Sequence, residues 1–358
     1  VKILILKPSS LGDVIQALPV LRLLRRQYPD SEIYWWIETA LIPLLEGDPD
    51  IAGLIPFERR HWTSPKNWLQ LARGIMELRR MQFDWVLDLQ SLARSGAVAW
   101  LANGGLLVGL DDAREGARGF YDIIVPRPDW FTHAVDWYLG VLPHLGVAVD
   151  KRFEWLPPRP HVAAAVRKKW NLDERTPWAI FVPGARWLNK RWPVEYFAET
   201  ARRIVARHPE LRIAVIGGAD DGQLGKAIAE AAPAAVLDLT GKTDLPEMIE
   251  WIRLGRVVLT NDTGPMHVAA ALGRPVVALF GPTEPRRTGP YGQLHNVVRL
   301  PLECVPCMKG ECRLSPPMQC MSGISPGMVL QRLEAALAGN SSGNRQPDGP
   351  LQPQKMQP

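Results

Sequence analysis

The 358-residue sequence lacks any apolar run of the roughly 18 to 20 residues that a bilayer-spanning helix needs. Its longest N-terminal apolar stretch, Ile3 to Leu6, ends at Lys7-Pro8 and is too short for the core of a secretory signal, so a cytoplasmic chain is expected. Cysteine is scarce: four residues, all between positions 304 and 320, which excludes a small scaffold stapled by disulfides. Dense Lys/Arg stripes are missing as well, and no nucleic-acid partner is expected. With 46% hydrophobic and 22% charged residues, the composition is that of a globular protein, and the length suggests two domains.

Charge is unevenly divided. Lys and Arg number 15 against 18 Asp and Glu through residue 150, and 27 against 19 after it, so the net charge of +5 comes from the C-terminal half. A half of that sign suits an anionic ligand such as a nucleotide, although a solvated Arg-rich surface gives the same count.

The chain begins as strand, tight turn and helix. Lys2 to Lys7 is a short β-rich run, Pro8 to Gly12 is turn chemistry, and Val14, Leu18, Leu21 and Leu24 repeat at helical spacing. Further strands are expected at Glu32 to Ile37, Trp85 to Leu89 and Leu106 to Val108, with helices near Pro65 to Met81 and Thr132 to Leu145. After the Pro-rich Glu154 to Pro160 a second series follows, with strands at Trp178 to Val182, Leu211 to Ile216, Val257 to Leu259 and Val276 to Phe280. The expectation is an α/β protein: an N-terminal domain over 1–153, a linker over 154–160 and a second domain over 161–338. Its ligand is expected between the C-terminal strand ends of the two halves. The Gly-, Pro-, Asn-, Ser- and Gln-rich residues 339–358 read as a disordered tail.

Three strand-to-helix turns carry candidate chemistry. In Lys7-Pro8-Ser9-Ser10-Leu11-Gly12-Asp13, backbone N–H groups and the Ser9 and Ser10 hydroxyls can face an anion at a helix N-terminus. Asp13 falls in the first helical turn, where Asp is also favoured simply as a cap. The turn carries neither the dinucleotide glycine pattern nor the Gly-Lys-Ser/Thr of a P-loop, which argues against a dehydrogenase or an NTPase. The second turn, Pro183-Gly184-Ala185-Arg186 to Lys190-Arg191-Trp192-Pro193, combines a Gly-containing loop with cations before a helix, a diphosphate cradle or a solvated basic loop. In the third, Asn261-Asp262-Thr263-Gly264-Pro265-Met266-His267, Asp262 and Thr263 can cap the helix opened by Pro265, and His267 faces the same mouth.

Together with Ala269 to Gly273 and Phe280-Gly-Pro-Thr-Glu-Pro285, these three segments resemble glycosyltransferase family nine, which contains the lipopolysaccharide heptosyltransferases. The resemblance runs from residue 2 to about residue 338. The N-terminal half, with Phe57-Glu-Arg-Arg-His-Trp62, Asp88-Leu-Gln-Ser-Leu-Ala-Arg-Ser95 and Arg114-Glu115, is most similar to the heptosyltransferase I branch. It implies a GT-B architecture, two Rossmann-like domains facing each other across a cleft. The activity implied is transfer of L-glycero-D-manno-heptose from ADP-heptose to Kdo of the lipid A inner core, with inversion and without a catalytic metal or other cofactor.

Under the same resemblance Asp13 is the general base and Lys190 the phosphate-binding lysine. Ser9, Ser10, Gly12, Gly184, Thr263, Gly264 and His267 lie at the donor, while Asp262 orders its loop or binds donor hydroxyls. Arg59, Arg60 and Arg118 fall where the family places its acceptor and suit Kdo carboxylates or lipid A phosphates. Peripheral association with the cytoplasmic leaflet of the inner membrane follows from a lipid-linked acceptor. The helix with Arg73, Arg79 and Arg80 could brush that surface, or pack on its own core with a solvated side.

The spacing Cys304-x2-Cys307-x4-Cys312-x7-Cys320 suggests structural zinc or an Fe–S cluster, with free thiols or an oxidised pair as the plain alternatives. Trp192, beside Lys190, is a candidate for adenine contact or loop packing. A relative with another nucleotide sugar or acceptor, and a binding protein without catalysis, remain as rivals to heptosyl transfer.

Overall fold

The computed structural model describes residues 1–58, 68–112 and 115–340. The chain divides into two compact units. The first comprises Val1–Leu172 with Thr243–Glu250 and Arg286–Thr288; the second comprises Asp173–Lys242, Trp251–Pro285 and the residues from Gly289 onward.

In chain order the N-terminal elements are β1 (Lys2–Leu6), α1 (Leu11–Gln27), β2 (Glu32–Glu38), α2 (Ile42–Leu45), β3 (Gly53–Phe57) and α3 (Trp68–Arg80). Next come β4 (Trp85–Asp88), α4 (Ala93–Ala102), β5 (Leu106–Leu110), β6 (Ile123–Val125), α5 (Ala134–Leu139) and α6 (Pro160–Lys169). The second series is β7 (Trp178–Val182), α7 (Val194–Arg207), β8 (Arg212–Val215), α8 (Gly222–Ala231), β9 (Val236–Asp238), α9 (Leu245–Leu254) and β10 (Gly255–Asn261). It closes with α10 (Gly264–Ala271), β11 (Val276–Phe280), α11 (Pro285–Thr288), β12 (Val297–Arg299), α12 (Gln319–Ser322) and α13 (Pro326–Asn340).

Both sheets are six-stranded and parallel, ordered β3-β2-β1-β4-β5-β6 and β12-β11-β10-β7-β8-β9. Each is the same doubly wound order, and each reverses direction once, between β1 and β4 in the first sheet and between β7 and β10 in the second. Beyond the C-terminal ends of those paired strands lies a crevice that no crossover fills, the usual ligand position in such sheets. The strands are buried on both faces because helices cover them, so they read as unbroken apolar runs such as Trp178-Ala-Ile-Phe-Val182. One core gathers Leu4, Leu6, Phe57, Val86 and Leu107, and the other Phe181, Phe197, Ile213, Leu259 and Leu279.

Two expectations differ from the structure locally. The helix expected over Thr132 to Leu145 is α5 followed by a 3-10 turn at Leu142–Leu145, since Gly140 and Pro143 weaken the continuation. The Pro-rich segment read as a linker is fastened within the first unit, with the Trp155 carbonyl accepting from Arg22 (3.0 Å) and Arg159 donating to the Pro43 and Leu44 carbonyls.

Candidate functional site

In the first unit the turn after β1 buries Lys7, Pro8 and Gly12 and leaves Ser9, Leu11 and Asp13 half-buried and Ser10 exposed at the C-terminal end of the strand. Ser10 is the N-cap of α1, and Asp13 Oδ2 accepts from the Ser10 backbone N–H (3.0 Å) and from its hydroxyl (2.7 Å). The capping role open to Asp13 is therefore filled, and it fixes the half-buried carboxylate at the helix N-terminus.

Beneath it lies a polar network that sequence reasoning missed. Lys7, 3% exposed, donates to the Leu89 carbonyl (2.8 Å) and lies 4.6 Å from the Tyr138 ring centre. Burial pulls this ammonium down, but Tyr138, Asp13 and Asp88 outweigh burial and hold it above its ordinary value. Asp88, the last residue of β4, is wholly buried and accepts from the Gln90 and Ser91 N–H groups (2.9 and 3.0 Å) and the Tyr121 hydroxyl (2.8 Å). Burial pushes its carboxyl up despite those donors. The only sequence signal was Lys and Asp at the ends of apolar strands flanking the reversal point.

Arg118 is half exposed and paired with Asp111 (2.7 Å), whereas Arg59 and Arg60 lie outside the described residues. Arg73, Arg79 and Arg80 are exposed on α3.

In the second unit the turns after β7 and β10 come together. Lys190 Nζ donates to Asp262 Oδ2 at 2.6 Å, with only 17% and 8% of the two side chains exposed. Thr283, on the turn after β11, donates to the same oxygen at 2.6 Å. The Lys190 ammonium also lies 4.7 Å from the Trp187 ring centre. Gly184 is buried against the Asp221 carboxylate, where a side chain would collide, and Asp221 itself accepts from the Gly218 N–H (3.0 Å). Thr263 is the N-cap of α10 but makes no capping bond with its side chain, and Asp262 is engaged by Lys190 and Thr283 instead of the helix. Pro265 stands in the first turn of α10, and half-buried Gly264 and His267 line that helix start. The arrangement offers one cation, helix N–H groups and hydroxyls to an anion, the elements of a diphosphate cradle.

Trp192 resolves toward packing. It is 2% exposed, stacks edge-on with Phe197 and Tyr196, and donates its indole N–H to the Ile324 carbonyl (2.9 Å). The metal expectation at Cys304, Cys307, Cys312 and Cys320 is not met. All four are free, and among the described residues no three His, Cys, Asp or Glu side chains gather as a metal set. Cys312 Sγ accepts from the Met318 N–H (3.3 Å), which with the Leu314 N–H lowers its thiol, while Cys320 packs on the core near Gly281 and is raised by burial and then by the other thiols.

Twin doubly wound sheets, each with polar turns at its reversal point, define an α/β protein of the GT-B class of transferases. Solved structures agree: E. coli ADP-heptose lps heptosyltransferase II matches at TM-score 0.76 and 25% identity, covering 96% of this chain and all of that one. E. coli heptosyltransferase WaaC, solved with ADP, matches at TM-score 0.74 and 26% identity over 94% of this chain and all of that one. Lipopolysaccharide heptosyltransferase 1 of Pseudomonas aeruginosa is 30% identical over 94% of this chain and 98% of its own length. The family model of glycosyltransferase family 9 (heptosyltransferase) matches residues 71–317. The chain belongs to that family and is a glycosyltransferase.

Proposed function

We propose that the chain transfers L-glycero-D-manno-heptose from ADP-heptose to a Kdo residue of the lipid A inner core, inverting the anomeric centre, with no metal or other cofactor. The observation that carries this reading is the Lys190–Asp262–Thr283 cluster at the β7/β10 reversal point, together with Asp13 at the β1/β4 reversal point. The relatives named as heptosyltransferases, and the one solved with ADP, support the choice of donor.

Asp13 takes the proton of the attacking Kdo hydroxyl as that oxygen bonds to the anomeric carbon. The bond from that carbon to the diphosphate oxygen breaks, and ADP leaves with the electron pair. A single displacement inverts the centre. Ser10 holds one Asp13 oxygen, so the turn sets the carboxylate's orientation for proton removal. On the donor side Lys190, the α10 N-terminus with Gly264, and the Ser9 and Thr263 hydroxyls are assigned to the charge developing on the diphosphate, while the Ser10 hydroxyl stays committed to Asp13 beside it. His267, Gly12 and Gly184 complete the donor contacts in this reading. Asp262 orders Lys190 instead of binding donor hydroxyls.

Arg118, with Arg59 and Arg60, is assigned to the acidic acceptor. The heptosyltransferase I type of acceptor is proposed from the N-terminal motifs, the relatives including both type 1 and type 2 enzymes at 30% and 28% identity. The lipid-linked acceptor in this reading places the enzyme in the cytoplasm, peripherally on the inner membrane; among the described residues no helix is long and apolar enough to cross a membrane. The test is ADP release from ADP-heptose with an acceptor panel bearing Kdo alone or Kdo already heptosylated. Turnover only with unheptosylated Kdo is expected; turnover only with the heptosylated acceptor would replace the type I assignment.

A further inference from the structure

The loop that carries Lys190 runs from the end of β7 to the start of α7, and a flexible loop would let its ammonium wander. One buried side chain holds both of its ends. Asn261, the last residue of β10 and 0% exposed, donates its amide N–H to the Pro183 carbonyl (2.7 Å) and accepts the Trp192 N–H at its amide oxygen (3.1 Å). Pro183 and Trp192 flank the segment containing Gly184 and Lys190. The amide's orientation follows from its partners, since a carbonyl only accepts and a backbone N–H only donates. Neither a carboxylate nor a hydrocarbon of that size can do both. A second tie acts at the tip of the lysine: Thr283, 5% exposed, shares Asp262 Oδ2 with Lys190, each at 2.6 Å. With that oxygen held from the β11 side, the acceptor to which Lys190 is anchored is fixed in place.

We propose that Asn261 and Thr283 are positioning residues for the donor diphosphate, Asn261 by closing the Lys190 loop across its two ends and Thr283 by orienting the carboxylate that anchors Lys190. Neither side chain touches the donor in this account. The inference rests on the donor-side reading above, that Lys190 meets the diphosphate.

The experiment measures ADP affinity by calorimetry, and KM for ADP-heptose and kcat, for Thr283→Val, Thr283→Ser, Asn261→Asp and Lys190→Met, with thermal melts to establish folding. Thr283→Val and Asn261→Asp should each weaken ADP by about five- to tenfold, the loss falling on KM with kcat within about twofold. Thr283→Ser, which retains the hydroxyl, should restore binding. In a Lys190→Met, Asp262→Asn background, Thr283→Val should change ADP affinity by less than about twofold, because neither the ammonium nor the carboxylate through which Thr283 acts is left to position. Native ADP binding by Thr283→Val, or an undiminished loss in that double background, overturns the inference while leaving the donor-side reading intact. Native ADP binding by Lys190→Met itself overturns that reading, and the inference with it. Asn261→Asp places a carboxylate in the core; if its melt shows it unfolded, Asn261→Ser, too short to span both partners, takes its place, and native ADP binding by the variant that folds overturns the role given to Asn261.

Discussion

Replacing Lys190 by Met should delete an attraction and leave the repulsion from Asp262 uncompensated. The Asp262 side chain is 8% exposed and its Oδ2 is 2.6 Å from the Lys190 ammonium, so removing the cation leaves a nearly buried negative charge beside the proposed diphosphate site. Taking a phosphate charge about 4 Å from the ammonium and about 6 Å from the carboxylate, an effective dielectric of about 20 gives roughly 4 kcal/mol of attraction and roughly 3 kcal/mol of repulsion. Halving both for a crevice open to water and salt leaves about 2 and about 1.5 kcal/mol. Lys190→Met should therefore weaken ADP by about 30-fold, and adding Asp262→Asn should recover roughly tenfold of that loss. The assay is calorimetry of ADP with the single and double variants at low and moderate salt, the differences shrinking as salt rises. A double variant that binds ADP no more tightly than Lys190→Met would refute the reasoning, because the Asp262 charge would then not be felt at the site.

Other consequences concern stability. Arg22 is 8% exposed and grips Asp48 through two nitrogens (2.7 and 2.5 Å) while also pairing with Asp50 (2.7 Å), so Arg22→Met should destabilise the first unit by about 3–5 kcal/mol through the stranded Asp48 carboxylate, read as a lower urea midpoint. Burial makes Asp88 bind its proton more tightly in the folded state than the ordinary carboxyl value of 3.8, so its contribution is complete below that value and is lost as pH rises through the raised folded value. Urea titrations across that range should show the native chain losing stability relative to Asp88→Asn as pH rises, and parallel curves would contradict the assignment. Asp13→Ala should lose about 1 kcal/mol by removing the acceptor for Ser10, whereas Asp13→Asn keeps an acceptor oxygen and should melt close to the native chain.

Much of the architecture was legible because doubly parallel sheets announce themselves. Strands buried on both faces, such as β7 and β11, are unbroken apolar runs, and each ends in a turn whose Pro, Gly, Ser or Asp opens a helix. The strands left out were β3, with Pro56 inside it, and the three-residue β6, β9 and β12, too short or too irregular for a period of two to show.

Asp13, Lys190 and Asp262 lie at the strand-to-helix connections where the sequence puts them, since each connection is local. What joins those turns is tertiary and left no local mark. Thr283 reaches Asp262 from another strand, and Asn261 bridges to residues 78 and 69 positions away. Lys7 and Asp88 are isolated charges at strand ends whose mutual influence depends on β1 and β4 being neighbours. The four cysteines are neighbours in sequence and in space, close enough for the other three thiols to raise Cys320; the Cys312 sulfur accepts a backbone N–H, Cys320 packs on the core, and among the described residues no three metal-ligating side chains gather as a set.

The most direct test of the central claim is ADP release by purified protein given ADP-heptose and O-deacylated Kdo2-lipid A, with Asp13→Asn in parallel and ADP affinity measured for both. Release should require donor and acceptor together, and should fall by about 100-fold or more in Asp13→Asn while ADP binds as before. Release by Asp13→Asn at the native rate, or native release indifferent to the Kdo acceptor, would contradict the account.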